Sequence, residues 1–147
     1  MPTSVELPGH GSAPVVAERT VDGTLQIPDD ISSIGWWDGS AFAGDPFGAT
    51  VLAGHIDSRA QGLGFFAALL VLGRGDRITV RNGTHTLTYR VDSTQLIRKD
   101  ALAADGQALS QNGDHRLVLI TCSGQWHPEQ RSYDSNLVVV ASPVATG

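Results

Sequence analysis

The sequence predicts a mainly β protein, a mixed barrel or sandwich of seven or eight short strands with little helix. Three observations point there. Short stretches rich in branched apolar residues recur along the chain, several alternating apolar with polar. Turn formers separate them, with 17 Gly and 7 Pro among 147 residues. Only one stretch, Phe65 to Leu70, is a good helix candidate, and it is short.

Taken in order, residues 1 to about 20 show no apolar period. Pro2, Pro8, Gly9, Gly11 and Pro14 punctuate them, so they read as a flexible arm or linker. The domain is expected over 21–143, followed by a tail at 144–147. Leu25-Gln26-Ile27 alternates and stops at Pro28, a short first strand. Ile34-Gly35-Trp36-Trp37 is the second, bounded by the turn signals Asp38-Gly39 and Gly44-Asp45-Pro46. Thr50 to Gly54 is apolar on both faces and so reads as a central strand. Gly73 and Gly75 end the helix candidate. Arg77 to Arg81 and Thr84 to Val91 both alternate, and Asn82-Gly83 between them signals a type I′ hairpin, which needs positive φ at both central residues. Lys99 to Ala104 reads as one helical turn. Arg116 to Thr121 and Asn136 to Ala141 are the last two strands.

Composition narrows the function classes. Apolar content of 41% and charged content of 17% are globular values, and the length suits one domain with its own core. A net charge of −5 argues against nucleic acid and against a polybasic membrane patch. No stretch approaches 18 consecutive apolar residues, and no signal peptide is visible. An anchor outside this chain is compatible with both. A single cysteine fits a cytosolic or an exported protein equally.

That cysteine, Cys122, closes the run Leu117-Val118-Leu119-Ile120-Thr121 and precedes Ser123-Gly124. Alone it cannot form an internal disulfide, so a chemical reason for it is reactivity or metal ligation. Two readings stand: a small buried hydrophobe, or a nucleophile delivered where a rigid strand stops. His55 follows another apolar strand and is placed to handle protons, or simply to cap a strand end. Arg131, nine residues after Cys122, is a planar, always-charged donor for an oxyanion, or an ordinary surface arginine. His10, His85 and His115 are weaker candidates, and His127 is in the loop after Cys122. One Cys and five scattered His offer no metal-ligand spacing, and Gly73-Arg74-Gly75 makes no phosphate loop. Trp36, Trp37 and Trp126 read as packing rather than a stacking platform.

Thr50-Val51-Leu52-Ala53-Gly54-His55, then Leu119-Ile120-Thr121-Cys122, then Arg131, resemble the sortases, bacterial surface cysteine transpeptidases. The closer resemblance is to the class F sortases of high-GC Gram-positive bacteria, the actinobacteria. It is carried also by Ile27-Pro28, Ile34-Gly35-Trp36, Gly54-His55-Ile56-Asp57-Ser58, Leu72-Gly73-Arg74-Gly75-Asp76 and Tyr133 to Val139, and it runs from about Val21 to Ser142. It implies a closed eight-stranded β-barrel with a few short helices or 3-10 turns. It implies that Cys122 attacks the Thr–Gly bond of a Leu-Pro-x-Thr-Gly signal. A thioacyl enzyme forms, and an amine of a peptidoglycan precursor or a pilin lysine resolves it. His55 and Arg131 match the other catalytic positions. Thr121, Ser123 and Asp57 fall on the substrate side of the site, Asp57 as a neighbour that orients the histidine.

Two departures matter. Family members carry an N-terminal membrane anchor and this sequence shows none, so localisation on the outer face of the membrane is expected to depend on a segment elsewhere. The acidic cluster of calcium-activated members is not apparent, so no calcium, other metal or cofactor is expected. The loop from Gln95 to Asp114 offers Leu96, Ile97, Ala101 and Leu102 either to the Leu-Pro part of a signal or to a satellite core. A monomer is the simplest expectation. The competing functions are a hydrolase using the same residues and a non-catalytic surface β-module.

Overall fold

The computed structural model describes residues 2–18, 20–21, 24–25, 33–37, 40–43, 45–54, 57–58, 62–83, 85–98, 113–127 and 132–144. Eight strands close into a barrel in the order β1 (Ser4–Leu7), β2 (Gly11–Glu18), β5 (Ile34–Trp37), β6 (Ala49–Ala53), β11 (Arg116–His127), β12 (Ser132–Pro143), β10 (His85–Arg98) and β9 (Arg77–Asn82), with β9 returning to β1. Two small antiparallel pairs stand outside it: β3 (Thr20–Val21) with β4 (Thr24–Leu25), and β7 (Asp57–Ser58) with β8 (Gly62–Leu63). The mixed closed barrel is the architecture expected from the sequence, resolved in favour of a barrel over a sandwich. Closure leaves the eight-stranded barrel itself without a free edge among the described residues.

Period-two alternation builds the core. Val5, Leu7, Val15, Ile34, Leu52, Ile78, Val80, Tyr89, Leu117, Leu119, Val139 and Ala141 join one buried cluster inside the barrel. The residues between them on β6, β11 and β12, namely Ala49, Val51, Val118, Ile120 and Val138, form a second buried cluster on the opposite face. Strand β6 is therefore covered on both faces, as its apolar run predicted. It pairs antiparallel with β5 and parallel with β11.

The N-terminal arm is corrected. Residues 4–7 and 11–18 are two barrel strands, paired from Ser4↔Pro14 to Leu7↔Gly11, and β1 pairs onward with β9. Gly9 and Gly11 take positive φ in the tight connection, which is why glycines that read as linker punctuation are turn residues. Pro14 lies on the exposed face of β2, and its neighbour Val15 donates its N–H to Thr3 O at 3.0 Å. The domain thus begins near residue 4. At the other end Val144 N–H still donates to Thr88 O, and residues 145–147 are outside the described set.

Other elements shift by less. Phe65–Val71 forms a 3-10 helix, with Phe66, Ala68 and Leu69 turned into the core. The hairpin pairs Asn82 with His85, so its two loop residues are 83 and 84, one later than expected; Gly83 has φ +63°. Strands β10, β11 and β12 run to 12 or 14 residues, longer than their apolar cores. Register shifts at Val91/Ser93 and Ser123/Trp126 let these long strands bend. The short strand read at Leu25-Gln26-Ile27 is outside the barrel as far as it is described, in the β3–β4 pair, and the helical turn at Lys99 to Ala104 lies outside the described residues.

Candidate active site

The site is built on the parallel pair β6–β11. Arg116↔Ala49 through Ile120↔Ala53 are in register, and Gly54 N–H donates to Ile120 O at 3.1 Å. Strand β6 thus stays bonded to β11 up to the residue before His55. The loop 40–43 is stitched to the same strand. Thr50 Oγ1 donates to Ala41 O at 2.9 Å, Val51 N–H to Ser40 Oγ at 3.2 Å, and Ser40 Oγ to Trp37 O at 2.6 Å. Trp36 adds its indole N–H to Ala41 O at 3.1 Å. A strand with buried polar groups satisfied on both sides is a rigid support.

Cys122 lies within β11, paired with Asn136 of β12, and not at the strand's last residue. The strand runs on to His127, through the shift after Ser123. Ser123 pairs with Ser135, a buried residue of β12. Thr121 pairs with Leu137 and is 1% exposed; among the described residues its Oγ1 has no hydrogen-bond partner. It shares the face of Leu117 and Leu119. Asp57 falls in the β7 pair opposite Leu63. His55 and Arg131 lie outside the described residues.

His115, a weaker candidate from sequence, is structural. It is buried, with Nε2 2.8 Å from Tyr89 Oη and Nδ1 3.0 Å from Gly48 O. A carbonyl only accepts, so Nδ1 carries the proton and the tyrosine hydroxyl donates to Nε2. Burial pushes the imidazole pKa below its ordinary 6.5, against the raising effect of the Gly48 carbonyl. A cleft of about 560 Å³ opens beside this pair, lined by Asp45, Pro46, Tyr89, Ser142 and Val144 among others. It sits before the start of β11, seven residues from Cys122 and so roughly 20 Å along the strand. It belongs to the far end of the barrel from the cysteine.

Gly54 carries a constraint that sequence reading passed over. A Cβ there would stand 2.6 Å from Ile34 Cδ1 and 3.0 Å from Phe66 Cδ2. The signal available was a glycine at the end of a buried, largely apolar strand, a feature that marks close approach of other groups as well as bends.

These features define a class: closed mixed barrels of eight strands in which a parallel pair leads into a Gly-His and a Thr-Cys dipeptide. The chain belongs to the sortase family, whose Sortase domain matches residues 5–144. No curated protein sequence is significantly similar to it. Among solved structures it is similar to a lid mutant of sortase A from Corynebacterium diphtheriae, with a TM-score of 0.71 and 25% identity over 98% of this chain and 70% of that one. It is also similar to sortase C1 from Streptococcus agalactiae, at TM-score 0.72 and 25% identity over 99% and 68%. A Clostridium perfringens Sortase D5 transpeptidase shares the fold at TM-score 0.70 and 17% identity, over 97% and 78%.

Proposed function

We propose that this chain is a cysteine transpeptidase of the sortase type, cutting a Leu-Pro-x-Thr-Gly-like signal between Thr and Gly. The observation that carries the reading is the β6–β11 register, together with family membership. Ala53 and Ile120 are paired, and His55 and Cys122 each follow two residues later in sequence. In the proposed cycle the Cys122 thiolate attacks the threonine carbonyl carbon, forming a C–S bond. Arg131 donates hydrogen bonds to the oxyanion. The C–N bond breaks, and the His55 imidazolium gives its proton to the departing glycine amine. An amine acceptor then attacks the thioester, His55 takes its proton, and the thiolate leaves with the acyl group on the acceptor.

Thr121 and Ser123 are assigned to the substrate side, and Asp57 to orienting the histidine. The buried Thr121 hydroxyl, without a partner among the described residues, supports its assignment, since such a group costs about 1–3 kcal/mol. The substrates are signal-bearing proteins, and the acceptor is a peptidoglycan precursor or a pilin lysine. The working place is the outer face of the cell membrane of an actinobacterium, with an anchor outside this sequence. The class F assignment rests on the sequence motifs, and the working unit is a monomer.

The test is a signal peptide incubated with the protein and a primary amine, wild type beside Cys122→Ala, read by mass spectrometry. An amine-ligated product that needs Cys122 is expected. Hydrolysis that ignores the amine would make the protein a hydrolase with the same site. No cleavage by any signal variant, with Cys122 inert to thiol reagents, would make it a non-catalytic module.

A further inference from the structure

The end of β6 is packed more tightly than a strand end requires. Gly54 lacks positive φ, so the backbone there does not itself demand glycine. The demand is for space. Ile34 of β5 and Phe66 of the 3-10 helix, both fully buried, close over its Cα. Ordinary contact begins near 3.4 Å, so an added methyl at 2.6 Å from the Ile34 Cδ1 tip and 3.0 Å from the Phe66 ring is accommodated only by moving that tip, the ring or the Gly54 backbone, and both side chains are fully buried. On its other side Gly54 is held to β11 by its N–H to Ile120 O. The residue is thus clamped between two walls and a strand, and the next residue in the chain is His55.

We propose that Gly54 is a positioning residue: the Ile34–Phe66 wall and the bond to Ile120 fix the path by which β6 leaves the barrel, and through it the place of His55 relative to Cys122. The inference rests on the proposed transpeptidase reading for its catalytic consequence. It makes the 3-10 helix part of the site's support, since Phe66 acts without touching substrate. It also explains why strand β5 matters: Ile34 reaches Gly54 from the strand beside β6.

The experiment compares wild type, Gly54→Ala, Ile34→Val and the double variant. Three readouts are taken: thermal unfolding, kcat and KM for ligation, and the titration of His55 followed by NMR on labelled histidine. The His55 signal is assigned by its loss in His55→Gln. For Gly54→Ala a fall in kcat of roughly 10²-fold is expected, because an ångström of misplacement has that effect. KM should change far less, and the His55 midpoint should move. Ile34→Val removes Cδ1, so the double variant should regain most of the kcat and the wild-type titration. A purely structural role would lower the unfolding temperature and leave the kcat and titration of the folded protein unchanged; that result overturns the proposal.

If Gly54→Ala does not fold, Phe66→Leu loosens the wall without adding a methyl, and it should lower kcat and shift His55. A wild-type kcat and a wild-type His55 titration in Phe66→Leu would overturn the proposal equally. If wild type itself ligates nothing, the functional reading fails separately. The His55 titration, and its response to Cys122→Ala, then still report whether Gly54 sets the histidine's surroundings.

Discussion

At the scale of single residues, two buried polar side chains have opposite standing. His115 has both ring nitrogens engaged, by Gly48 O and Tyr89 Oη, and burial lowers its pKa. The unfolded chain therefore takes up this proton at higher pH than the fold does. The stabilisation is fully present above the ordinary value of 6.5 and is lost as pH falls below it toward the lowered value. Unfolding temperatures measured from pH 8 to pH 5 should drop less steeply for His115→Gln than for wild type, although the variant starts lower. Equal slopes would mean that His115 is not the titrating group. Thr121 is the reverse case, a buried hydroxyl with no partner among the described residues. Thr121→Val keeps the shape and removes the orphan, so stability should hold or rise by about 1 kcal/mol. Its kcat/KM should fall if the hydroxyl serves the substrate. A loss of stability in chemical denaturation would show that the hydroxyl is bonded after all.

At the scale of elements, the strands legible in the sequence were those with the strongest patterns. Ile34–Trp37, Thr50–Gly54 and Arg77–Arg81 all appear within a residue or two of their expected limits, and the strand expected over Arg116–Thr121 starts where expected but runs on to His127. The pair β1–β2 was not legible. Ser4–Leu7 is four residues with two inward apolar positions, too short to show a period, and β2 contains Pro14 and opens on Gly11. Their pairing is a tertiary fact: β1 lies between β2 and β9, which is far away in sequence. Removing residues 1–18 should therefore abolish cooperative folding. It deletes Val5, Leu7, Ala13 and Val15 from the core and exposes the edges of β5 and β9. Circular dichroism and calorimetry of the truncated chain provide the check. A dispensable arm would leave the unfolding transition intact.

For the molecule as a whole, closure of the barrel joins elements that sequence reading takes one at a time. The parallel pairing of β6 with β11 joins segments more than 60 residues apart, and no local pattern announces it. The sequence motifs marked Gly54-His55 and Thr121-Cys122 separately, and the fold makes their strands neighbours. The long crossing strands β10, β11 and β12 hide their ends because alternation fades beyond their apolar centres. In the described residues no helix is long and apolar enough to cross a membrane. The central claim is that Cys122 is an acyl-accepting nucleophile. It is met most directly by the intact mass of the protein after incubation with a Leu-Pro-x-Thr-Gly peptide and no added amine, for wild type, His55→Ala and Cys122→Ala. The expected result is a mass gain equal to the peptide up to its threonine in wild type, sensitive to hydroxylamine, much reduced in His55→Ala and absent in Cys122→Ala. The same adduct in Cys122→Ala, or no adduct in wild type while peptide is cleaved, would contradict it.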